Sequence, residues 1–586
     1  MIDLKPFQSH FYQMLRFALP AISEHLGGLQ EVPFLEAYQE ELSSVGSTRV
    51  PYSQPIERLK DSLNLTEEEL ALLLLIGSVE EDVRFSALFE GLGGHPHPTV
   101  GLLEQWWQDY TLEPPRHLLE RWIKLGVLRA VHQEGTRLQR SVCVQPELWE
   151  ILRGNSGHLE LYMPPAQLPA LADLFLPEGF QVPPLKDLLV GGVRHSGRKT
   201  LLKALARHHQ KGILTTHLTE GFHENAVLAL VLDAVPLVVL PASPEPMVLP
   251  ELPLDIPVFA TCSVHQVVHT RAYRMALQTP GPAERKRIWK TATGREPETL
   301  HRRLPVGNLI RLGRGESLAV QALHPSVNRL PACGSYQDLA LPEHVLQDLK
   351  LLETRCRFRE RLGQHLPEVL TPPVGVKALF SGPSGTGKTL TARVLAGVLD
   401  MPLFRVDLSK VVSKFIGETE KNLDEVFEQA ESQDVILLLD EGDALLTQRT
   451  AVGNANDRYA NLETNYLLQR LEHYEGILLI TTNASDRIDA AFQRRMDLTI
   501  DFPAPRAAER ARIWTLHLPA AHALARDEIE HVAETCDLTG GQIRNVVLQA
   551  TLLSLQDERP LAFRHLQVAL RREYRKLGIH PPTGEP

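Results

Sequence analysis

The chain has 586 residues, 43% of them hydrophobic and 23% charged, a balance typical of a globular protein with three or four domains. Its longest apolar runs, such as residues 70–76, are too short to span a bilayer, and the N-terminus shows no signal peptide, so we expect no membrane association. Five cysteines without CxxC spacing argue against zinc and disulfides and favour the cytoplasm, while the net charge of −11 makes nucleic acid an unexpected partner.

The first region, residues 1–164, is predicted to be mostly helical. Thr66 precedes three glutamates, which is typical of a capped helix start. Apolar residues at helical spacing over 117–128 are followed by two short predicted strands, 127–131 and 139–144. A helix followed by a hairpin is the pattern of a winged helix. A small α/β bundle with no role in reading a nucleic-acid groove fits the same pattern equally well.

The rest of the chain contains two similar stretches. In each of them an apolar strand, 186–190 or 377–380, leads into glycines. Further on, 280–289 and 503–514 both begin with Pro-x-Pro and end in Glu-Arg-x-Arg-Ile-Trp. We therefore predict a duplicated α/β module. The predicted domains are 1–164, a degenerate module at 165–330, a large subdomain at 331–503 and a helical lid subdomain at 504–586.

A glycine loop in the third region is the strongest motif of the chain. It matches G-x-x-x-x-G-K-[ST] in full, between an apolar strand and a predicted helix. Glycines let backbone N–H groups converge on phosphate oxygens, Lys388 would reach the β- and γ-phosphates, and the Thr389 hydroxyl would ligate Mg²⁺. The predicted nucleotide-binding residues here are Gly382, Pro383, Ser384, Gly385, Thr386, Gly387, Lys388, Thr389 and Leu390.

An acidic pair follows the loop by about fifty residues. The all-apolar run 435–439 is typical of a central parallel strand, and it ends in Asp440 and Glu441. Carboxylates at the carboxyl end of such a strand project into the crevice where open α/β sheets bind ligands. We expect Asp440 to hold Mg²⁺, mainly through water, and Glu441 to be the general base that polarises the attacking water.

Together these motifs resemble the AAA family of ATPases over about residues 336–555. The box 440–445 resembles the family's D-E-x-D-x-L, with glycine in place of the usual alanine, and 480–483 resembles its sensor-1 strand. The resemblance implies that Asn483 contacts the γ-phosphate and the attacking water. The segment 538–545 resembles the start of the sensor-2 helix, in which Arg544 would contact phosphate.

The resemblance also extends to residues that act between subunits. Arg494 and Arg495 stand where the family has its arginine fingers, which would reach a neighbouring subunit's site and imply a ring, usually a hexamer. Phe415 and Ile416 stand at the first pore loop, which grips an extended polypeptide in AAA unfoldases. The stretch 449–458 would be a second channel loop.

The second region lacks most of this machinery. Its loop carries Arg198 before Lys199, which we interpret as a residue intruding into the tight turn. Its apolar strand 237–240 ends in proline and alanine with no carboxylate, and Thr261-Cys262 stands where the sensor-1 asparagine is expected. We therefore predict an AAA-like domain that does not hydrolyse ATP.

The sequence thus predicts an α/β protein with P-loop AAA+ modules, each a parallel sheet flanked by helices plus a helical lid, preceded by a mainly α-helical, winged-helix-like region. The implied function is Mg²⁺-ATP hydrolysis that drives remodelling or assembly of a protein partner. Similar bacterial ATPases accompany contractile injection systems. The alternatives are an ATP-regulated nucleic-acid-binding protein that uses the winged-helix-like region, and a scaffold or loader that does not thread polypeptide.

Overall fold

A computed structural model gives the fold of the greater part of the chain. The residues that it describes are 6–26, 32–44, 52–111, 113–132, 136–155, 161–177, 179–218, 222–241, 243, 246–249, 251–264, 266–297, 302–316, 327–370, 372–406, 418–443, 466–483 and 490–578. Among these residues no helix is long and apolar enough to cross a membrane.

The chain forms two compact units. The first comprises residues 1–192, 197–241 and 246–277, and the second comprises 193–196, 242–245 and 278–586. The predicted region 165–330 is thus divided, since its strands up to residue 277 lie in the first unit and the helices that follow lie in the second. The four predicted domains and their three boundaries stay a prediction.

Helices dominate the N-terminal part of the first unit. The predicted helix start at Thr66 is confirmed: its hydroxyl accepts a bond from the Glu69 N–H at 3.2 Å, and the Glu69 carboxylate accepts one from the Thr66 N–H at 3.0 Å. The apolar run 70–76 that follows is entirely buried in the core. The helices are α1 (Pro6–His25), α2 (Pro33–Ser44), α3 (Gln54–Leu63), α4 (Glu67–Ile76), α5 (Val83–Gly93), α6 (Val100–Trp107), α7 (Pro115–Leu125) and α8 (Pro146–Leu152).

A hairpin follows α7, as the sequence predicted. Its antiparallel strands, β1 (Leu128–Ala130) and β2 (Val142–Val144), are shorter than the predicted spans, and residues 137–139 form a 3₁₀ turn before the second strand. Two arginines on and beside α7 lie close to acidic side chains, Arg116 at 3.6 Å from Glu104 and Arg137 at 3.5 Å from Glu120. A nucleic-acid role for this region stays a prediction.

The rest of the first unit is built on a six-stranded sheet of order β10-β4-β8-β6-β5-β3. All neighbouring pairs are parallel except the edge pair of β3 with β5. Helix α9 (Arg198–His208) follows β4, and helix α10 (Glu224–Val231) follows β5. The strands are β3 (Tyr162–Met163), β4 (Leu188–Gly192), β5 (Gly212–Thr216), β6 (Ala234–Val239), β8 (Phe259–Cys262) and β10 (Tyr273–Leu277), with a separate pair β7 (Met247–Val248) and β9 (Val268–His269).

The second unit contains a sheet of order β11-β13-β14-β15-β12-β16, again parallel except for its edge pair, β11 with β13. Read from the β3 edge, the first sheet has the same order and strand directions: β3, β5, β6, β8, β4 and β10 correspond to β11, β13, β14, β15, β12 and β16. This match supports the duplication predicted from the sequence. The strands are β11 (Val327–Leu330), β12 (Val376–Ser381), β13 (Leu403–Val406), β14 (Ile436–Leu439), β15 (Ile477–Thr482) and β16 (Leu498–Asp501).

Helices cover both faces of this second sheet and form a separate lid. One apolar core lies on each face, and β14 contributes alternate residues to both, which confirms it as a central buried strand. The lid has its own core, formed by the last four helices. The helices are α11 (Pro282–Thr293), α12 (Val306–Gly313), α13 (Glu343–Arg357), α14 (Lys388–Leu399), α15 (Glu418–Gln433), α16 (Ala490–Gln493), α17 (Ala507–His517), α18 (Arg526–Thr535), α19 (Gly540–Gln556) and α20 (Phe563–Leu577).

A buried ion pair fixes the turn between α15 and β14. Asp434 and Arg359 are 2% and 4% exposed, and the Asp434 carboxylate accepts bonds from the Arg359 guanidinium and from the backbone N–H of Arg303. Burial by itself raises the pKa of Asp434, but these donors outweigh burial and hold the pKa below its ordinary value. The turn that leads into the central strand is therefore held by a charge that stays ionised inside the protein.

Candidate nucleotide site

A cavity of about 320 Å³ lies at the carboxyl ends of β12, β14 and β15. It brings together the glycine loop, both members of the acidic pair, Asn483 and the lid residue Arg544. Gly382 and Pro383 lie at the base of the loop and do not line the cavity. The lining residues are Asp338, Leu339, Ala340, Leu341, Ser384, Gly385, Thr386, Gly387, Lys388, Thr389, Leu390, Thr391, Asp440, Glu441, Thr481, Asn483, Ile513, Leu516, His517, Gly540, Gly541 and Arg544.

The glycine loop has the backbone that phosphate binding requires. Gly387 adopts φ +99° just before α14 begins at Lys388, and a Cβ on Gly387 would meet no other atom within 4 Å. Gly385 adopts φ +82°, and a Cβ there would lie 2.6 Å from the hydroxyl of Thr539. The carbonyl of Gly385 accepts a bond from the Gly541 N–H of the lid at 3.0 Å. The loop therefore leaves open space at the N-terminus of α14, where an anion is favoured.

The Lys388 ammonium points into this loop. Its Nζ donates to the carbonyl oxygens of Gly382 at 2.6 Å and Pro383 at 2.9 Å, and to Oδ1 of Asn483 at 2.9 Å. Burial lowers the pKa of Lys388, and the carboxylates of Asp443 and Asp440 oppose that shift. The Lys388 cation thus lies between the loop and the end of β15, where a bound phosphate group could replace its three present partners.

Thr389 and Asp440 form the oxygen-rich part of the site. The Thr389 hydroxyl donates to Oδ1 of Asp440 at 3.3 Å. A hydroxyl and a carboxylate are hard oxygen donors, and Mg²⁺ is commonly held by one or two carboxylates together with substrate phosphates and waters. No larger cluster of His, Cys, Asp or Glu suited to a metal occurs in the described part of the chain. These two residues therefore fit Mg²⁺ that arrives with the nucleotide.

Two contacts near the acidic pair involve residues to which the sequence analysis assigned no role, although Asp443 lies within the 440–445 box. Arg405 on β13 places Nη1 at 3.6 Å from Oδ2 of Asp440, so a cation faces this carboxylate from the neighbouring strand. Asp443 accepts bonds from the Thr482 hydroxyl and, at 3.2 Å, from the Asn483 N–H. Asp443 thereby fixes the backbone of the predicted sensor residue. Pairing of β13 with β14 and of β14 with β15 creates both contacts, and sequence spacing does not reveal them.

The apolar end of the cavity was not predicted. Leu339 and Leu341 come from the loop before α13, and Ile513 comes from the lid helix α17. These apolar side chains belong to segments more than 150 residues apart in sequence, and neither segment has a local motif for base binding. Arg544, which was predicted, lines the same cavity from α19.

The two predicted finger arginines differ in their surroundings. Arg495 pairs with Glu472 of the same chain, with Nε at 2.7 Å and Nη2 at 2.6 Å from Oε1. Arg494 is exposed, and neither arginine lines the cavity. The predicted pore residues Phe415 and Ile416, and the second channel loop 449–458, lie outside the described residues.

The first unit's loop corrects one sequence interpretation. Gly197 precedes α9 with φ +91°, as Gly387 precedes α14, so the two loops have equal length. Arg198 therefore stands where the second unit has Lys388, and Lys199 stands where it has Thr389, whereas the sequence had suggested an intruding arginine. The Arg198 guanidinium donates to the carbonyl of Cys262, at the end of β8. Lys388 makes the corresponding contact in the second unit, to Asn483 at the end of β15.

Strand register also locates the other lost residues. In the second unit Ser381 pairs with Thr482, and in the first unit Gly191 pairs with Cys262, so Ser263 stands at the sensor-1 position instead of Thr261-Cys262. By the same register Val239 and Leu240 occupy the positions of the acidic pair. Both replacements are apolar, and the first module therefore has no carboxylate for a metal or a base at this place.

Three features define a P-loop nucleoside triphosphatase. The glycine loop joins β12 to helix α14, the acidic pair follows β14, and Asn483 follows β15, which lies between β12 and β14 in the sheet. The sequence model of the "ATPase family associated with various cellular activities (AAA)" matches residues 378–504. The chain therefore carries an AAA ATPase domain, in the α/β P-loop fold predicted from the sequence.

Several proteins are similar to the chain over this domain. The chain is 34% identical over 224 residues to an uncharacterised AAA family ATPase, y4kL, of Sinorhizobium fredii, a match covering 36% of this chain and 66% of that protein. It is 31% identical over 198 residues to 26S proteasome regulatory subunit 10B homolog A of Arabidopsis thaliana, covering 32% and 49%. It is 34% identical over 189 residues to the proteasome-activating nucleotidase of Aeropyrum pernix, covering 31% and 46%. The chain thus spans just under two thirds of the first relative and about half of the other two.

Proposed function

We propose that the protein is a ring-forming ATPase that couples Mg²⁺-dependent ATP hydrolysis to the remodelling or assembly of a protein partner. The observation that carries the hydrolysis is the cavity in which Lys388, Asp440, Glu441 and Asn483 meet around the glycine loop. The family relationship agrees with this activity. The ring is proposed from the predicted arginine fingers, and the protein partner is proposed from the relatives whose names refer to the proteasome.

Each residue of the cavity has a distinct part in the proposed reaction. The loop N–H groups and Lys388 bind the β- and γ-phosphates and withdraw negative charge from them. Thr389 and Asp440 would hold Mg²⁺, which would supply charge neutralisation to the nucleotide's phosphates. Glu441 lies exposed at the mouth of the cavity and accepts a proton from the attacking water, and Asn483 orients that water.

We assign a further cation, at the outer side of the γ-phosphate, to Arg494 of a neighbouring copy. Arg494 is exposed and does not line its own cavity, whereas Arg495 is occupied by Glu472. An arginine that completes the site in trans contributes on the order of 10³–10⁵ in rate in related phosphoryl-transfer enzymes. The unit of activity would then be a closed ring, for which a hexamer is the expected size.

A protein is the proposed class of partner. Two relatives are named as a proteasome regulatory subunit and a proteasome-activating nucleotidase. Phe415 at the predicted pore loop would grip polypeptide, and replacing it with alanine separates threading from a scaffold or loader role. We expect Phe415→Ala to retain ATPase activity and lose partner remodelling. Unchanged remodelling would contradict threading.

The decisive test of hydrolysis is Glu441→Gln. This change removes the base but keeps the size and hydrogen-bonding shape of the side chain. We expect ATP binding to survive while turnover falls by at least about 10²-fold, as is usual for loss of a general base. Binding is measured by equilibrium titration with a fluorescent ATP analogue, and turnover by phosphate release.

The matched control is Glu558→Gln. Glu558 is an exposed glutamate at the end of α19 that also has a positive φ, 51°, and does not line the cavity. This variant should hydrolyse ATP at the unmodified rate. Wild-type turnover in Glu441→Gln would remove Glu441 from the mechanism, and the absence of ATP hydrolysis by the unmodified protein would refute the proposed function itself.

A further inference from the structure

We infer that Thr481 is a positioning residue that sets the two carboxylates of the acidic pair through a single hydroxyl group. The inference rests on the proposed hydrolysis and deepens it. Thr481 is 2% exposed on β15, directly beside the end of β14. Its Oγ1 donates to Oδ1 of Asp440 at 2.7 Å and accepts the backbone N–H of Glu441 at 3.1 Å. One buried atom therefore contacts both residues of the pair.

The backbone explains why this hydroxyl is needed. Glu441 has φ +56°, a left-handed conformation that is unfavourable for a residue with a side chain. Because the chain bulges there, the carbonyl of Thr481 accepts the N–H of Gly442, at 2.9 Å, instead of the N–H of Glu441. The Glu441 N–H has left the regular ladder, and the Thr481 hydroxyl accepts it.

The first module supplies an internal comparison. Its residue in the register position of Thr481 is Thr261, and that carbonyl accepts the N–H of Leu240 at 3.0 Å in an ordinary strand ladder. Leu240 occupies the position of Glu441 and is not among the residues with positive φ. The bulge thus occurs after β14, where the chain has Asp440 and Glu441. It is absent after β6, where Val239 and Leu240 occupy the same positions.

The geometry assigns a consequence to each bond. The bond to Asp440 fixes the rotamer of the carboxylate that also accepts the Thr389 hydroxyl, so the proposed Mg²⁺ ligands are aligned. The bond from the Glu441 N–H holds the turn that directs the proposed base toward the cavity. Loss of the hydroxyl should therefore affect the chemical step and Mg²⁺ more than the binding of the phosphates, which Lys388 and the loop perform.

The test compares Thr481→Val, which removes the hydroxyl at nearly constant volume, with Thr481→Ser, which keeps it. We expect the valine variant to lose about 10- to 100-fold in kcat, the range for a lost hydrogen bond to a charged group, with KM for ATP changed less than about threefold. The serine variant should recover most of kcat. Thr261→Val, the same change at the matching position of the first module, should leave kcat unaltered.

Two readouts do not depend on turnover. In Thr481→Val the Mg²⁺-dependent gain in affinity for a fluorescent ADP analogue should shrink, while affinity without Mg²⁺ stays at the wild-type value. Hydrogen exchange should also quicken at the Glu441 amide, in peptides covering 436–443. These outcomes identify a hydroxyl that acts on the carboxylates rather than on the sheet as a whole.

Two results would overturn the inference. One is wild-type kcat in Thr481→Val while Glu441→Gln is inactive, which would leave the proposed function intact. The other is evidence that Thr481 only supports the sheet. Such evidence would be loss of nucleotide binding by Thr481→Val in the absence of Mg²⁺, or a melting temperature that is lowered in both Thr481→Val and Thr481→Ser. Absence of ATPase activity in the unmodified protein would instead refute the proposed function.

Discussion

At the scale of single residues, the two modules differ by a small number of side chains on the same frame. The second keeps lysine and threonine at the start of its loop helix, where the first has Arg198 and Lys199. Lysine presents a compact cation on a flexible stem that can follow the phosphate, whereas the Arg198 guanidinium is already bonded to a strand-end carbonyl. The difference in chemistry between the modules therefore lies in side chains and not in the sheet.

This contrast predicts opposite results for two lysines. Lys388→Ala should abolish measurable ATP hydrolysis, since it removes the only lysine that the described residues place in the cavity. Lys199→Ala, an exposed lysine at the matching helix start, should change the rate less than about twofold, as expected for a surface substitution. Phosphate release at saturating Mg²⁺-ATP measures both. A large loss in Lys199→Ala would show that the first module takes part in hydrolysis.

At the scale of elements, the turn into β14 matters because β14 ends in the acidic pair. Its start is held by Asp434, which pairs with Arg359 from the segment after α13. A depressed carboxyl pKa in the folded protein stabilises the fold at pH values above the unfolded pKa, and that contribution is lost as the pH falls through the folded pKa. The start of the strand that carries the site is thus fixed by an ionised pair.

We expect Asp434→Asn to destabilise the protein by about 3–5 kcal/mol, because Arg359 would be left buried without its counter-charge. Asparagine tolerates the positive φ of this position, so backbone strain should not contribute. Above pH 5 the variant should unfold at lower urea concentration than the wild type. The difference should narrow below about pH 4, where Asp434 of the unfolded wild type takes up a proton while the depressed pKa still keeps the folded carboxylate ionised. Glu530→Gln, in the exposed pair with Arg526, is the control and should not shift the midpoint.

Elements with strong local signals could be predicted from the sequence, and pairwise tertiary contacts could not. The capped start at Thr66, the loop–helix junction at Lys388 and the buried strand before Asp440 each depend on neighbouring residues. The roles of Thr481 and Arg405 depend on which strands lie side by side, and no spacing encodes that order. The misplaced sensor position in the first module has the same cause, since only strand register brings Ser263 to it.

At the scale of the whole molecule, the proposed ring depends on fingers that act between subunits. The cavity contains the proposed base, Lys388 and the proposed metal ligands, whereas Arg494 and Arg495 do not line it. Two defective variants should then repair each other. Arg494→Ala retains Glu441 and lacks the finger, whereas Glu441→Gln lacks the base and keeps the finger.

Mixing these two variants should restore part of the ATPase activity, because a site with Glu441 can then stand beside a subunit with Arg494. Each variant alone should be nearly inactive. Phosphate release from mixtures in varied ratio should peak near equal amounts. Arg495→Ala is the matched control: it breaks the pair with Glu472 within one chain and should lose less activity than Arg494→Ala. Activity of the mixture no higher than that of its parts would argue against fingers acting in trans.

The division of the chain into two units has a practical consequence for fragments of this protein. Helices α11 and α12 follow the first sheet in sequence but belong to the second unit. There Arg285 pairs with Glu360, and the Asn308 amide donates to the carbonyl of Ser432 at 2.7 Å at the end of α15. A fragment cut at residue 331, where the sequence suggests a boundary, would leave Glu360 and Ser432 without these partners. Expression of the ATPase module should therefore begin near residue 278, with both helices included.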